Sequence, residues 1–285
     1  MNAFYVITNT SKEIANKNAA FIKNYLESRG KICYICHNDE FIKGGRSRYT
    51  DASLIPDDVE CLIALGGDGT LLHASRDTID SGLPILGINM GTLGYLAEIE
   101  LSGVTEALDR LIADDYFVEE RMMIRGTVYQ SGKKLMEDIA LNDIVISRRG
   151  RLRVVDFDIS VNDTFLCSYR ADGIIVSTPT GSTGYTLSAG GPIVSPDASL
   201  ILLTAIAPHS LVSRTIVLPD DVTVTVEIGS SHESAENFAE ISFDGDTSLN
   251  LAIGGRVEIS RTVEKTHFLK LNHTSFVTNL REKLK

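Results

Sequence analysis

Hydrophobic and polar positions follow two different rhythms along this chain. In the first hundred residues, short and wholly apolar runs alternate with helical stripes. Phe4–Thr8 reads as an apolar strand. Ser11 can cap a following helix with Glu13 in its first turn, and Ala15, Ala19, Phe21, Ile22, Tyr25 and Leu26 form its apolar stripe. Gly30 ends that helix. Lys31–Cys36 predicts a second strand, Gly44–Pro56 a polar loop, Cys61–Leu65 a buried strand and Pro84–Ile88 another, with a helix from the intervening glycine loop to about Asp80. This β-α-β alternation predicts a doubly wound α/β domain with a parallel sheet over residues 1–99.

After a short helix at Val104–Ala113 the period changes from 3.6 to 2. Met123–Tyr129, Ile144–Ser147, Phe157–Val161, Thr164–Tyr169, Gly173–Ser177, Ile216–Leu218, Val222–Ile228, Ile241–Phe243 and Val257–Arg261 all read as strands. Turn pairs such as Asn162-Asp163 and Asp244-Gly245 separate them. Residues 100–269 are therefore expected to form a larger β-rich, β-sandwich-like domain. A polar terminal helix at Ser275–Lys285 is expected to complete the first domain through residues 270–285.

Composition narrows the setting. The 285 residues are 43% apolar and 23% charged, with a formal net charge of −11. An acidic chain is a poor general partner for nucleic acid or anionic membrane, and no apolar run approaches the roughly 20 residues that span a bilayer. The N-terminal MNAFYVITNT has neither a basic nor a long apolar segment, so the cytoplasm is the default. A local basic patch remains available at Arg148, Arg149, Arg151 and Arg153. Of the four cysteines, Cys33 and Cys36 form C-x-x-C followed by His37. A metal site would need a second pair, which the chain lacks, so all four read as reduced core thiols.

Candidate chemistry concentrates in two segments. The first is LGGDGTL at Leu65–Leu71, where a buried strand ends and a helix begins. Glycines there permit positive φ and close approach of backbone N–H groups to a ligand, and the helix N-terminus adds unpaired donors. Asp68 can accept a proton from an attacking hydroxyl, hold a metal that bridges phosphates, or merely cap the helix. Neither G-x-x-x-x-G-K-[ST] nor G-x-G-x-x-G is present. The second segment is YRADGIIVSTPTGSTGYTLSAGGP at Tyr169–Pro192. Thr178, Thr180, Ser182, Thr183, Tyr185 and Ser188 crowd hydroxyls beside a buried strand, and Asp172 could bind a ribose diol or carboxamide.

GGDGT, Leu141-Asn142-Asp143, the RADG…STPTGSTGY segment and Pro208–Leu211 together resemble the NAD kinase family in order and spacing, as does GINMGTLGYL at Gly87–Leu96. The resemblance spans the chain after about residue 58, and it implies ATP as phosphate donor, NAD as acceptor and a divalent metal, Mg2+. It implies that Asp68 is the base that takes the proton of the adenosine-ribose 2′-hydroxyl. It implies nucleotide contacts from Gly67, Gly69, Asn142, Asp143, Thr183, Gly184, Tyr185, Ser188, Ala207 and Asp246, with His73, Arg153 and Arg170 near NAD or phosphate. Asp172 resembles the carboxylate that reaches the nicotinamide end, sometimes from a neighbouring subunit, in a homodimer or homotetramer. The chain departs from the family pattern at Asp143 for the usual Glu, Gly184 for Ala, Asp246 for Gln and Ala171 for Gly.

Two other readings stand beside this one. GGDGT alone is shared with lipid kinases, although no apolar lipid-binding stretch accompanies it here. A nucleotide sensor without turnover could also use such a fold. His209 reads as a loop-ordering residue, and His232 with Glu233–Glu240 as a solvated polar loop.

Overall fold

The apolar runs Ala3–Thr8, Cys61–Leu65 and Ile85–Asn89 become strands of a parallel sheet that are buried along their whole length. In a computed structural model the described residues are 1–8, 13–36, 41–43, 46–48, 50–91, 94–97, 99–149, 154–210, 214–229, 238–272 and 276–283. They divide into two compact units, Met1–Arg121 with Lys265–Lys285, and Met122–Glu264.

The first unit contains β1 (Ala3–Thr8), α1 (Glu13–Ser28), β2 (Ile32–Ile35), β3 (Phe41–Lys43), β4 (Arg46–Arg48), β5 (Cys61–Leu65), α2 (Asp68–Asp77), β6 (Ile85–Asn89), β7 (Ile99–Glu100) and α3 (Val104–Ile112). Its sheet runs β2-β1-β5-β6-β7, parallel throughout. Every residue of β1, β5 and β6 is buried, which is why these strands read as continuous apolar runs. α1 buries Ala15, Ala19, Ile22 and Leu26, one helical stripe. Gly30 stops it with φ +72°, and the N–H groups of Gly30 and Lys31 close on the carbonyls of Glu27 and Leu26, both at 3.0 Å. This is a glycine-capped C-terminus of the kind the sequence predicts.

Three boundaries differ from expectation. The predicted loop at 44–56 contains β4, paired antiparallel with β3, and a 3-10 turn at Ala52–Leu54 capped by the Asp51 carboxylate. Arg46-Ser47-Arg48 offers no apolar alternation by which to read a strand. α2 ends at Asp77, and a 3-10 turn at Ile79–Ser81 follows, closed by Gly82 at φ +65°. The units divide after Arg121 rather than near residue 99. Val104, Ala107, Leu108 and Leu111 of α3 are buried in the same core as Ile22 and Leu26 of α1, so the first unit keeps this helix.

The four cysteines are free thiols. Burial pushes Cys33 up to about 12 and raises Cys36 as well, so both stay protonated and are poor nucleophiles or ligands. His37 lies outside the described residues.

The chain leaves the first unit within β8 (Phe117–Gln130). The second unit then adds β9 (Lys133–Ala140), β10 (Asp143–Arg148), β11 (Val155–Val161), β12 (Thr164–Ala171), β13 (Gly173–Ser177), the one-turn α4 (Tyr185–Ser188), β14 (Leu200–Ile206), β15 (Ile216–Pro219), β16 (Val224–Ile228), β17 (Phe238–Phe243) and β18 (Thr247–Ala252). The first residues of β19 (Arg256–Lys270) complete it.

One antiparallel sheet runs β12-β11-β16-β19 and a second runs β15-β14-β13-β10-β17-β18. Phe157, Ile159, Val226 and Val257 from the first share a core with Ile144, Ile146, Ile174, Val176 and Phe243 from the second, which makes a sandwich. Hairpin turns fall where the sequence marks them, with φ +48° and +61° at Asn162-Asp163 and +51° and +75° at Asp244-Gly245. Ser131-Gly132, at +51° and +74°, makes a third that the strand pattern missed together with β9. β14 and β18 were also missed. β14, LILLTAI, is apolar except for Thr204 and central, so its periodicity cannot distinguish a strand from a helix.

From Lys265 onward the chain is again part of the first unit. Phe268 pairs in parallel with Ile85, Leu269 and Leu271 enter the first core, and α5 (Phe276–Lys283) ends the described chain. Among the described residues no helix is long and apolar enough to cross a membrane.

Phe157 is fully buried between its neighbours in the sandwich core. Phe157→Ala is expected to lower the unfolding free energy of the second unit by about 3–5 kcal/mol, read as a lower denaturant midpoint in chemical unfolding.

Candidate active site

In the first unit the site grows from the end of β5. Gly66 continues the sheet through its N–H to the Ile88 carbonyl at 2.9 Å. Gly67 is the N-cap of α2 with an extended backbone, φ −93° and ψ −171°. None of Gly66, Gly67 and Gly69 is left-handed, so the expected role of glycine in supplying positive φ is not what the loop uses. Gly66 is required for space, because a Cβ there would lie 2.1 Å from Thr70 Oγ1. Gly67 and Gly69 are exposed, and a Cβ on either would meet nothing within 4 Å. They leave an open approach on both sides of Asp68, in front of a helix whose first N–H groups have no intrahelical partner.

Asp68 is half-buried and does not cap α2. Its carboxylate instead accepts the N–H of Tyr95 on Oδ2 at 2.7 Å, and those of Leu96 and Ala97 on Oδ1 at 3.1 and 3.5 Å. His73 sits one turn further along α2, half-buried.

In the second unit the start of β10 is held from three directions. Asp244, in the β17–β18 turn, accepts the N–H groups of Leu141, Asn142 and Asp143 at 2.8, 2.8 and 3.1 Å. Thr178 donates its N–H to the Asn142 carbonyl at 2.9 Å and its hydroxyl to the Leu141 carbonyl at 2.5 Å. Gly181, in the 3-10 turn Thr180–Thr183, lies so close that a Cβ would stand 2.1 Å from the Asn142 oxygen. The turn brings Gly184 beside both Asn142 and Asp143, where a Cβ would be 3.5 Å from Asn142 Nδ2 and 3.6 Å from Asp143 Oδ2. Thr183 is half-buried, bonding back to the Thr180 carbonyl at 3.3 Å, while Tyr185 and Ser188 are exposed on α4. Asp246 sits half-buried in the same turn as Asp244, its N–H on the Phe243 carbonyl at 3.1 Å.

Asp143 is only 6% exposed. Burial and the neighbouring Asp244 carboxylate push it up to about 7, against a hydrogen bond from the Tyr185 N–H that favours the charged form.

The remaining predicted residues gather elsewhere. β10 and β13 are antiparallel, pairing Asp143 with Ser177 at one end and Ser147 with Gly173 at the other. Arg148 Nε pairs with Asp172 Oδ1 at 2.7 Å, and the Arg148 N–H reaches the Asp172 carbonyl at 2.8 Å. The Asp172 N–H bonds Ile206, and Ala207 follows it in the left-handed region at φ +43°, an uncommon conformation for a residue with a Cβ. Arg170 is exposed and paired with Asp156 at 3.2 Å, and its carbonyl receives the His209 N–H at 2.7 Å. Asp172, Arg170 and Ala207 therefore form a second cluster. From Asp143 to Arg148 is five strand steps, about 17 Å at roughly 3.4 Å per residue. Arg153 and His232 lie outside the described residues.

Sequence reasoning missed two groups. Asp244 was read as a turn residue only, although its Asp-Gly pair marks a carboxylate fixed at a tight bend. The N–H groups of Tyr95–Ala97 carry no side-chain signal, although Gly87–Leu96 is part of the family resemblance. Among the described residues no group of three or more His, Cys, Asp or Glu side chains is placed to hold a metal ion.

The chain matches two family descriptions, the ATP-NAD kinase N-terminal domain over residues 5–116 and the ATP-NAD kinase C-terminal domain over residues 141–271. It is 40% identical to the NAD kinase of Lachnospira eligens, with 100% of each chain covered. It is 43% identical to the NAD kinase of Agathobacter rectalis, covering 100% of this chain and 99% of that one. Among solved structures, yeast NADH kinase complexed with NADH superposes with a TM-score of 0.87 at 23% identity, over 100% of this chain and 87% of that one. An NAD kinase from Archaeoglobus fulgidus in complex with ATP gives 0.76 at 24% identity, over 99% and 98%. At these identities the two structures support the fold alone.

The raised Asp143 fixes the sign of a pH effect. Between its ordinary value of 3.8 and about 7 the folded chain binds a proton that the unfolded chain releases, so this residue's contribution falls as pH rises through that window. Asp143→Asn is expected to stabilise the protein at pH 8 by on the order of a few kcal/mol and to have little effect near pH 4, read from denaturation midpoints at the two pH values.

Proposed function

The chain belongs to the ATP-NAD kinase family and is a kinase that phosphorylates NAD with ATP, and we propose that Asp68 is the general base of that transfer. The observation that carries this reading is the Asp68 carboxylate, fixed by three backbone N–H groups and flanked by two glycines with open space around them. A ribose hydroxyl is a weak nucleophile. A fixed carboxylate can take the 2′-hydroxyl proton as the oxygen attacks the γ-phosphorus, the bond to the bridging oxygen breaks, and ADP leaves. The products are NADP and ADP, with the proton passing through Asp68.

Among the described residues no cluster of three or more His, Cys, Asp or Glu side chains forms a cage for a metal ion. A magnesium ion that keeps its waters and binds phosphate oxygens needs no such cage. We therefore write the donor as MgATP, the metal arriving with its substrate and neutralising phosphate charge.

Asn142, Asp143, Thr183, Gly184 and Tyr185 are assigned to the nucleotide by their convergence on one rigid turn. Asp143 replaces the longer Glu that the family resemblance implies, and its contact is a shorter-reaching one. The separate cluster of Asp172, Arg170 and Ala207, a strand's length away, supports a role for Asp172 toward the nicotinamide end of a nucleotide bound by a neighbouring subunit of a homodimer or homotetramer.

Incubating the purified protein with NAD, ATP and Mg2+ is expected to yield NADP, read with an NADP-specific dehydrogenase. Chelation with EDTA should stop turnover while leaving NAD binding by calorimetry intact. Asp68→Asn is expected to lower kcat by about 100-fold or more while NAD affinity changes by no more than several-fold. Binding of NAD without any NADP formed would favour a sensor instead, and near-full activity of the Asn variant would remove Asp68 as the base.

A further inference from the structure

The base is positioned by a device separate from the glycine loop that carries it. The segment between β6 and β7 contains Gly94, followed by the three residues whose N–H groups bind the Asp68 carboxylate. A Cβ at Gly94 would lie 1.8 Å from Asp68 Oδ1, 2.2 Å from Cγ and 2.4 Å from Oδ2. Gly94 is not left-handed, so backbone freedom is not what the position requires. The carboxylate occupies the volume that any side chain at residue 94 would need. Gly87 in β6 extends the same close packing, because a Cβ there would stand 2.5 Å from Leu71 Cδ2 and 3.1 Å from Ala97 Cα.

We propose that Gly94 and the N–H groups of Tyr95–Ala97 form a clamp that orients the base, with Gly94 as a positioning residue for the transfer. This rests on Asp68 being the base. The clamp also distinguishes the two carboxylate oxygens. Oδ1 receives two N–H donors and Oδ2 receives one, and a carboxylate oxygen offers two lone pairs. The second lone pair of Oδ2 is the acceptor for the substrate proton. Three hydrogen bonds prevent rotation about the Cβ–Cγ bond, so this lone pair keeps one direction between turnovers.

The test is a double-substitution cycle on the full chain. Gly94→Ala is expected to lower kcat by about 30- to 100-fold through displacement of the carboxylate, with KM for NAD and for ATP within about 3-fold. In the Asp68→Asn background the same substitution should change the residual kcat by less than about 3-fold, because the group it orients is already lost. Equal losses in both backgrounds, or a Gly94→Ala enzyme with kcat within 3-fold of the parent, would overturn the clamp. If Asp68→Asn itself stays active, the premise fails whatever Gly94 does, so the two failures are distinguishable. Should Gly94→Ala not fold, amide hydrogen exchange of the unaltered protein decides. The Tyr95 and Leu96 amides should be protected, and Asp68→Ala should release them while amides of β1 and β5 stay protected. Rapid exchange at Tyr95 and Leu96 in the unaltered protein would overturn the clamp without any assay of turnover.

Discussion

A carboxylate can accept several backbone N–H groups at once, and this chain uses that capacity twice. Asp68 binds three consecutive N–H groups at 95–97, and Asp244 binds three at 141–143. Leu141 and Asn142, like Tyr95 and Leu96, lie in bends outside the strands, and an orphaned buried N–H is costly. Hydrogen bonds to a charged acceptor contribute roughly 1.5–3 kcal/mol each, more than neutral ones. Each aspartate precedes a glycine, which leaves room around the carboxylate. The segments at 95–97 and 141–143 are thus held by charge-assisted hydrogen bonds in addition to the burial of Leu96, Ala97 and Leu141.

The consequence for Asp143 follows from its neighbour. The carboxylate that organises residues 141–143 is itself negative, and it lies beside a second, buried carboxylate. Burial and repulsion together raise Asp143, while the Tyr185 N–H opposes them only in part. The same arrangement that holds the loop places a carboxyl raised to about 7 at the start of β10. The glycines of the STPTGSTGY segment complete it from the other side. Gly181 in particular has no room for a side chain against the Asn142 carbonyl, and a backbone carbonyl cannot move aside.

Much of this was legible in the sequence where a local rule suffices. The fully apolar strands, the glycine-capped end of α1 and the Asn162-Asp163 and Asp244-Gly245 turns each follow from a few adjacent residues. β14 was not legible, since a run that is apolar at every position but Thr204 carries no period. β4 was not, since Arg-Ser-Arg has no apolar face. The placing of α3 with the first core was not, because its stripe shows that it packs without showing on what.

The sequence by itself determined the change of rhythm from helix-and-strand to strand-and-turn, the glycine-rich GGDGT loop, and the residues that resemble a nucleotide kinase. Tertiary structure alone decided that Gly94 and Gly181 serve close approach instead of left-handed backbone, since that depends on Asp68, about 25 residues before Gly94, and on Asn142, about 40 before Gly181. It also decided that Asp143 and Asp172, read from one set of motifs, stand at opposite ends of a strand pair. Spacing along a chain fixes what neighbouring residues can do. Which carboxylate meets which backbone is set only when the sheet brings distant turns together, and there the GGDGT aspartate acquires both its donors and its direction.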